Sequence, residues 1–283
     1  MTADCSQPTT SWQRPNESYK ETFLGVGDKL SDGNTRQFGS ISAVSTGLPV
    51  PEYNRAFVFN SPPHDKLTTA VSWLRRQDTP FWVTMTASVV EAMGEFSAEF
   101  DLAYSHEDPV MALPTLAEVP SRSSSVTILS VTDSATFNEF VTVFTSVFDR
   151  SVDVTVRAFR ASVSDENTHL FVGRLEGKPV ACGVMSKLDN VAGVYSIGVL
   201  EEFRRQGIGR RMTEEALVAG RDAGCQLGVL QLSEMATGST KRWDSSRSPP
   251  TTTSSRPPEY LRKRGLLSDV PPRLPIVLVT RRL

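Results

Sequence analysis

The stretch VAGVYSIGVLEEFRRQGIGRRM, residues 191–212, decides the fold of this chain. Its first ten positions are apolar apart from Ser196, which predicts a β-strand. The following residues carry an apolar stripe at helical spacing that starts at Ile208 and Met212, and Gly224 is a natural end for that helix. The stretch therefore predicts a strand, a glycine-containing turn and a long helix.

The turn RRQGIG, residues 204–209, predicts a phosphate-binding site. Gly207 and Gly209 remove side chains where the backbone must approach a ligand, and the first amides of a helix point outward there. Four arginines surround the turn, and such a helix N-terminus favours phosphate oxygens. An isolated G-x-G often makes only a tight turn, and the sequence is neither the dinucleotide fingerprint nor a P-loop.

Outward from this turn, the segment 126–232 has the predicted order β-α-α-β-β-β-α-β. Phenylalanines and valines three and four positions apart predict the first helix of this series. Two of the strands form a hairpin through Glu176 and Gly177, and LGVLQL is the last strand. The segment 37–120 is a further α/β unit, and the serine-rich link PSRSSS marks a domain boundary at its end. The polar segment 1–36 is expected to be poorly ordered.

With its strand and helix, the motif Arg-x-x-Gly-x-Gly resembles the GCN5-related N-acetyltransferase (GNAT) family over about residues 126–235. The resemblance implies an α/β fold of the α+β type, with a mixed, mostly antiparallel sheet flanked by helices. It also implies acetyl-CoA as co-substrate, with turn amides holding the pyrophosphate and the preceding strand pairing with the pantetheine arm. The residues implied for this site are Ile197, Val199, Arg204, Gln206, Gly207, Ile208, Gly209 and Arg210.

The first unit resembles the N-terminal half of a two-lobed subset of this family. It has no R-x-x-G-x-G, so it looks like a degenerate copy with a packing or substrate-shaping role. The domains expected are thus a first lobe at 37–120, an acetyl-CoA-binding lobe at 121–235 and an anomalous tail at 236–283. The tail is rich in proline and basic residues and is expected to be irregular.

The implied chemistry is acyl transfer, in which a neutral amine attacks the thioester and loses a proton. Glu201 and Glu202 are the nearest carboxylates in sequence, although they also suit a role as solvated charges that compensate the arginines. Tyr195 is expected to pack in the core. The catalytic residues stay unassigned.

The tail raises a question about the reading frame. In the family, a helix like Met-Gly-x-x-x-Tyr-x-x-Leu-Gly-Phe supplies the proton donor, but MATGSTKRWDS stands here. Methionine and tryptophan have single codons, so moving the frame back by one base after Met235 forces glycine at 236 and 244. The same frame permits tyrosine at 240, leucine at 243 and phenylalanine at 245. A one-base deletion would explain this pattern. A natural divergent tail is the alternative, in which Tyr260 could serve as donor.

The composition limits the classes of binding partner that we expect for this protein. The formal charge of −2 gives no general reason to expect nucleic acid, and no apolar run is long enough for a membrane span. Three cysteines and three histidines are scattered without metal-ligand spacing, so no metal is expected. The chain is expected to be cytoplasmic, with a small-molecule or peptide amine as acceptor. The sequence does not indicate the oligomeric state. The alternative to an enzyme is a catalytically inactive binding or scaffold protein.

Overall fold

In a computed structural model, the described residues are 13–62, 64–86, 89–90, 100, 102–113, 115–117, 119, 125–231 and 275–281. The helices are α1 Gln13–Asp28, α2 His64–Arg75, α3 Ser134–Phe148, α4 Val152–Phe159 and α5 Ile208–Asp222. The strands are β1 Asn34–Phe38, β2 Ile41–Ser45, β3 Arg55–Val58, β4 Trp82–Thr86, β5 Leu102–Leu113, β6 Val126–Ser130, β7 Thr168–Leu175, β8 Lys178–Leu188, β9 Val191–Val199, β10 Leu227–Gln231 and β11 Pro275–Arg281. None of these described helices has the length and hydrophobicity needed to cross a membrane.

The strands form a sheet in the order β1-β2-β3-β4-β11-β5-β10-β9-β8-β7-β6. Two neighbouring pairs are parallel, β3 with β4 and β9 with β10, and the remaining pairs are antiparallel. Each parallel pair is joined through one helix, because a parallel connection needs a crossover. The predicted mixed, mostly antiparallel sheet with flanking helices is confirmed.

The order of elements from β6 to β10 is the predicted β-α-α-β-β-β-α-β. Asp133 and Thr136 form a reciprocal capping box at the start of α3, which fixes where this helix begins. Phe140 and Phe144 from the predicted apolar stripe are buried in the core. On the other face of the sheet, Met212 and Ala216 of α5 are fully buried. The two helical faces therefore enclose the sheet that carries the predicted site.

The N-terminal segment differs from the prediction. Residues 13–28 form α1, which packs between the two lobes and contacts β2 and β9. Tyr19 is fully buried, and its ring lies 5.1 Å from that of Phe23 and 5.9 Å from that of Phe57. The prediction of a poorly ordered segment is wrong for residues 13–36, because a few aromatic residues on one helical face bury against both lobes.

The tail also differs from the prediction in its described part. Residues 275–281 form β11, which lies between β4 and β5, so this part is not irregular. Its sequence PIVLVT is rich in β-branched residues, which suits a strand. The remaining residues of 236–283, with Tyr260, lie outside the described residues.

Strand β10 is paired on both sides, parallel with β9 and antiparallel with β5. Strand β5 thus belongs to the first unit in sequence and joins the second lobe in space.

Candidate active site

The candidate site begins where β9 separates from β10. Pairing between these two strands reaches Val194 and Leu230, with no later pair among the described residues. On the other side of β9, the register with β8 shifts between Cys182 and Val184, and Ser196 has a left-handed φ of 53°. This β-bulge changes the direction of β9 and leaves the edge of its last residues without a neighbouring strand in the described structure.

Backbone alternation shows which groups of β9 lie on that edge. The amide of Leu200 donates to the Val180 carbonyl at 2.9 Å and therefore points toward β8. Because successive residues of a strand alternate in direction, the backbone groups of Val199 and Ile197 point away from β8. The two strand residues expected at the site thus lie on the unpaired edge.

The turn after β9 leaves the first amides of α5 available. Gly207 is the N-cap with φ 81°, no side chain caps the helix, and the first turn holds no acidic residue. The Gly207 carbonyl accepts from the Arg211 amide at 3.0 Å, so regular helical bonding starts there. The amides of Ile208, Gly209 and Arg210 therefore have no carbonyl of the same helix to bind. The positive end of the helix dipole adds to their preference for an anion.

The glycine at 207 is needed for its backbone angle and not for space. A Cβ built on Gly207 would meet nothing within 4 Å, but the φ of 81° is costly for any other residue. By contrast, Gly209 has an ordinary helical position, and a Cβ there would lie 3.5 Å from Val199. The conformation of the turn thus depends mainly on Gly207.

The arginines around the turn have different roles. Arg204 donates from Nε to the Val199 carbonyl at 3.0 Å and so ties the turn to the end of β9. Arg210 pairs with Glu214 at 2.9 Å, and Arg211 pairs with Glu215 at 2.6 Å. Arg205 is exposed and has no side-chain partner among the described residues.

Arg205 is therefore the cation best placed to meet an anion at the turn. Arg205 is one of the four arginines around the turn but lies outside the predicted set of site residues. Its left-handed φ of 63° is a feature that sequence could not indicate. Arg204, which was included in that set, holds the turn in place through its side chain.

The surroundings of Glu201 and Glu202 do not mark either carboxylate as catalytic. Glu201 and Glu202 lie in a short 3-10 turn and are exposed, and neither pairs with an arginine in the described part of the chain. Tyr195 is buried beside Tyr19, with ring centroids 6.3 Å apart, and burial raises the pKa of its phenol. Tyr195 packs in the core, as predicted. The described residues contain no group of three or more side chains suited to a metal ion.

The corresponding turn of the first lobe lacks these features. It lies between β3 and α2, the other parallel pair joined by a helix, and reads NSPPHD. Pro62 and Pro63 have no amide hydrogen, and Asp65 places a negative charge in the first helical turn. This turn therefore offers fewer amide donors than the turn before α5, and the charge of Asp65 opposes an anion there.

Part of the chain matches a known protein family, and the chain as a whole is similar to several solved structures. The model of the acetyltransferase (GNAT) family matches residues 134–237, which include the turn and α5. A GCN5-related N-acetyltransferase from Kribbella flavida is similar in structure, with a TM-score of 0.64, 16% identity and 96% of each chain covered. No curated protein sequence matches the chain.

Two further solved structures share the fold. One is a tandem GNAT protein from the clavulanic acid biosynthesis pathway, with a TM-score of 0.53, 13% identity and 95% of each chain covered. The other is a GCN5-related N-acetyltransferase from Sphaerobacter thermophilus, with a TM-score of 0.54 and 15% identity, covering 85% of this chain and 79% of that chain. At these low sequence identities, the structural similarity shows a shared fold across both lobes.

Proposed function

We propose that this protein is a cytoplasmic N-acetyltransferase with acetyl-CoA as donor, since the acetyltransferase (GNAT) family model matches residues 134–237. Its acceptor would be the primary amine of a small molecule or peptide. The observation that carries the proposal is the uncapped N-terminus of α5 beside the unpaired edge of β9. The start of α5 offers backbone amides to the pyrophosphate of acetyl-CoA. The edge of β9 offers backbone hydrogen bonds to its extended pantetheine arm, which contains amide groups.

In this proposal each residue of the site has a defined task. The amides from Gly207 to Arg210 bind the pyrophosphate, and Arg205 adds a positive charge at the surface. The edge of Ile197 and Val199 hydrogen-bonds to the pantetheine arm. A fixed amide on this edge also stabilises the oxyanion that develops on the thioester carbonyl. Arg204 keeps the turn and the strand end at a constant separation.

The first lobe has a different task. Its turn has two prolines and Asp65 where the second lobe has Gly207 and no acidic residue, so we assign one donor site to the chain, in the second lobe. Ion pairs connect the second lobe to earlier parts of the chain, among them Arg150 with Glu52 of the first lobe at 2.7 Å and Arg157 with Asp32, just before β1, at 3.2 Å. These contacts suit a lobe that supports and shapes the acceptor side of the catalytic lobe.

The test is turnover with a set of primary amines. The full-length protein is mixed with acetyl-CoA and polyamines, aminoglycosides, amino acids or short peptides. Release of CoA thiol is followed together with mass spectrometry of the acetylated amine. Thiol release that depends on the amine supports the proposal. Acetyl-CoA binding without acetylation of any amine would favour the alternative, a catalytically inactive binding or scaffold protein of the same fold.

We also propose that the reading frame changes after Met235. The family match ends at residue 237, two positions beyond this methionine, where the sequence stops resembling the family. Sequencing the source DNA across codons 235–259 tests this. An additional base that restores Met-Gly-x-x-x-Tyr-x-x-Leu-Gly-Phe supports it, and the repaired chain should then be assayed. An unchanged frame would reject it and make the tail with β11 native.

A further inference from the structure

The last turn of α3 packs directly on the backbone at the end of β9. Gly198 lies between Ile197 and Val199, the two residues of the proposed donor edge. A Cβ built on Gly198 would lie 2.8 Å from Cγ1 of Val147 and 3.0 Å from Cε2 of Phe148. Both distances are shorter than the roughly 3.5–4.0 Å of ordinary contact between carbon atoms, so only glycine lets the helix come this close. The Phe148 ring therefore lies beside the strand segment to which the thioester would bind.

The opposite face of this strand end is filled as well. A Cβ built on Gly183 of β8 would lie 2.7 Å from Cδ1 of Ile197 and 3.5 Å from Cε of Met212, a residue of α5. Ile197 thus points toward α5, whereas the next position, Gly198, faces α3, as expected for alternating residues of a strand. A group bound to this edge therefore meets Ile197 on one face of the sheet and Phe148 on the other.

Phe148 is fixed through both its backbone and its ring. Its carbonyl accepts a hydrogen bond from Nη1 of Arg150 at 2.9 Å. The same guanidinium donates from Nε to Oε1 of Glu52 in the first lobe at 2.7 Å. The Phe148 ring packs against that of Phe144, with centroids 4.6 Å apart. Because packed side chains of this kind resist displacement, a bulky ligand would move the ring only by breaking these contacts.

We propose that Phe148 is a specificity-determining residue that limits the transferred acyl group to acetyl. This inference rests on the proposed function, in which an amide of the β9 edge holds the thioester carbonyl of the donor. The acyl chain starts at that carbonyl, and a butyryl group extends it by two methylenes. Phe148 is half-buried, so part of its ring is accessible to a bound molecule. The added methylenes would need the space that this ring occupies.

The test compares the binding of acetyl-CoA and butyryl-CoA to the full-length protein by isothermal titration calorimetry, without an amine. We expect the wild type to bind acetyl-CoA at least about tenfold more tightly. Phe148→Ala should shift the ratio of the two affinities roughly tenfold toward butyryl-CoA, because each methylene that gains apolar contact contributes about fourfold. A general loss of stability would affect both ligands alike and leave the ratio unchanged.

A matched pair of milder variants, Phe148→Leu and Phe137→Leu, provides the control. Both phenylalanines lie on the apolar side of α3, but Phe137 is at the opposite end of the helix. Phe148→Leu should shift the ratio in the same direction as Phe148→Ala but by less, and Phe137→Leu should not change it. This pair also keeps the test decisive if Phe148→Ala does not fold.

The possible outcomes separate this inference from the proposed function. If the wild type binds acetyl-CoA but the Phe148 variants keep its affinity ratio, the inference is overturned and the donor site stands. The same holds if the wild type binds butyryl-CoA as tightly as acetyl-CoA, or if Phe137→Leu and Phe148→Leu shift the ratio equally. If the wild type binds neither ligand, the proposed function is rejected, and the limit on the acyl group is rejected with it.

Discussion

Replacing Gly207 with alanine should weaken acetyl-CoA binding through the backbone alone. The Cβ of the new residue meets nothing within 4 Å, so no clash arises in the folded chain. The φ of 81° nevertheless costs a non-glycine residue about 1–2 kcal/mol. The free turn can relax away from this angle, and binding must restore it. The expected loss of affinity is therefore roughly five- to thirtyfold.

The chain provides a matched control in Gly177. This glycine also has φ 81° and open space around its Cβ, but it lies in the hairpin turn between β7 and β8. Gly177→Ala should therefore lower the melting temperature by about 2–4 °C for each kcal/mol of strain, and Gly207→Ala should lower it by no more than this, because its free turn can relax. Isothermal titration calorimetry with acetyl-CoA should separate the two variants.

Two results would refute this reasoning. If Gly207→Ala bound acetyl-CoA within twofold of the wild type while losing stability like Gly177→Ala, the left-handed turn would not be part of the donor site. If both variants lost affinity equally, the loss would reflect general destabilisation. Binding that falls only in Gly207→Ala supports the amides of α5 as the pyrophosphate ligands.

The remaining predictions concern charges. Arg205→Gln should weaken acetyl-CoA binding up to about fivefold and reduce its salt dependence, while Arg76→Gln, at another exposed arginine, should change neither. In a double-mutant cycle on Glu52 and Arg150, followed by thermal unfolding, we expect a coupling free energy of about 0.5–1 kcal/mol between the two side chains. If the losses of stability in the two single variants simply add in the double variant, the ion pair does not hold the lobes together. For Asp165, burial opposes ionisation, but hydrogen bonds from Lys29 and Thr168 outweigh it and lower the pKa of its carboxyl. A carboxyl whose pKa is lower in the folded than in the unfolded protein stabilises the fold at pH values above the unfolded pKa of about 3.9. This stabilisation is lost as the pH falls through the pKa of the folded state. Asp165→Asn should therefore flatten the fall in stability below about pH 4, and an unchanged urea-unfolding profile would contradict the assignment.

The second lobe was predictable because its signals are local. The apolar run of β9, the glycine turn and the apolar stripe of α5 each follow from a few neighbouring positions, and together they specify a strand, a turn and a helix. The first helix of that lobe was equally clear from its phenylalanines. The same local signals suggested which residues surround the turn.

The errors arose where contacts are distant in sequence. Helix α1 has few apolar residues, and its order depends on Tyr19, which packs against β3 through Phe57 and against β9 through Tyr195. Strand β10 gains its second neighbour from β5, more than a hundred residues earlier in the chain. No window of sequence contains both partners of such contacts, so the polar composition of the N-terminal segment suggested the wrong outcome.

By itself, the sequence determined the order of elements in the second lobe and the position of the glycine turn, because backbone propensities and hydrophobic periodicity act between near neighbours. Only the tertiary structure decided that Arg204 binds the Val199 carbonyl while Arg205 is exposed, and that no described strand pairs with this edge of β9 beyond Val194. It also decided that β5 and β11 join the two lobes in one sheet. These features depend on hydrogen bonds and packing between distant segments, which form only when the whole chain has folded.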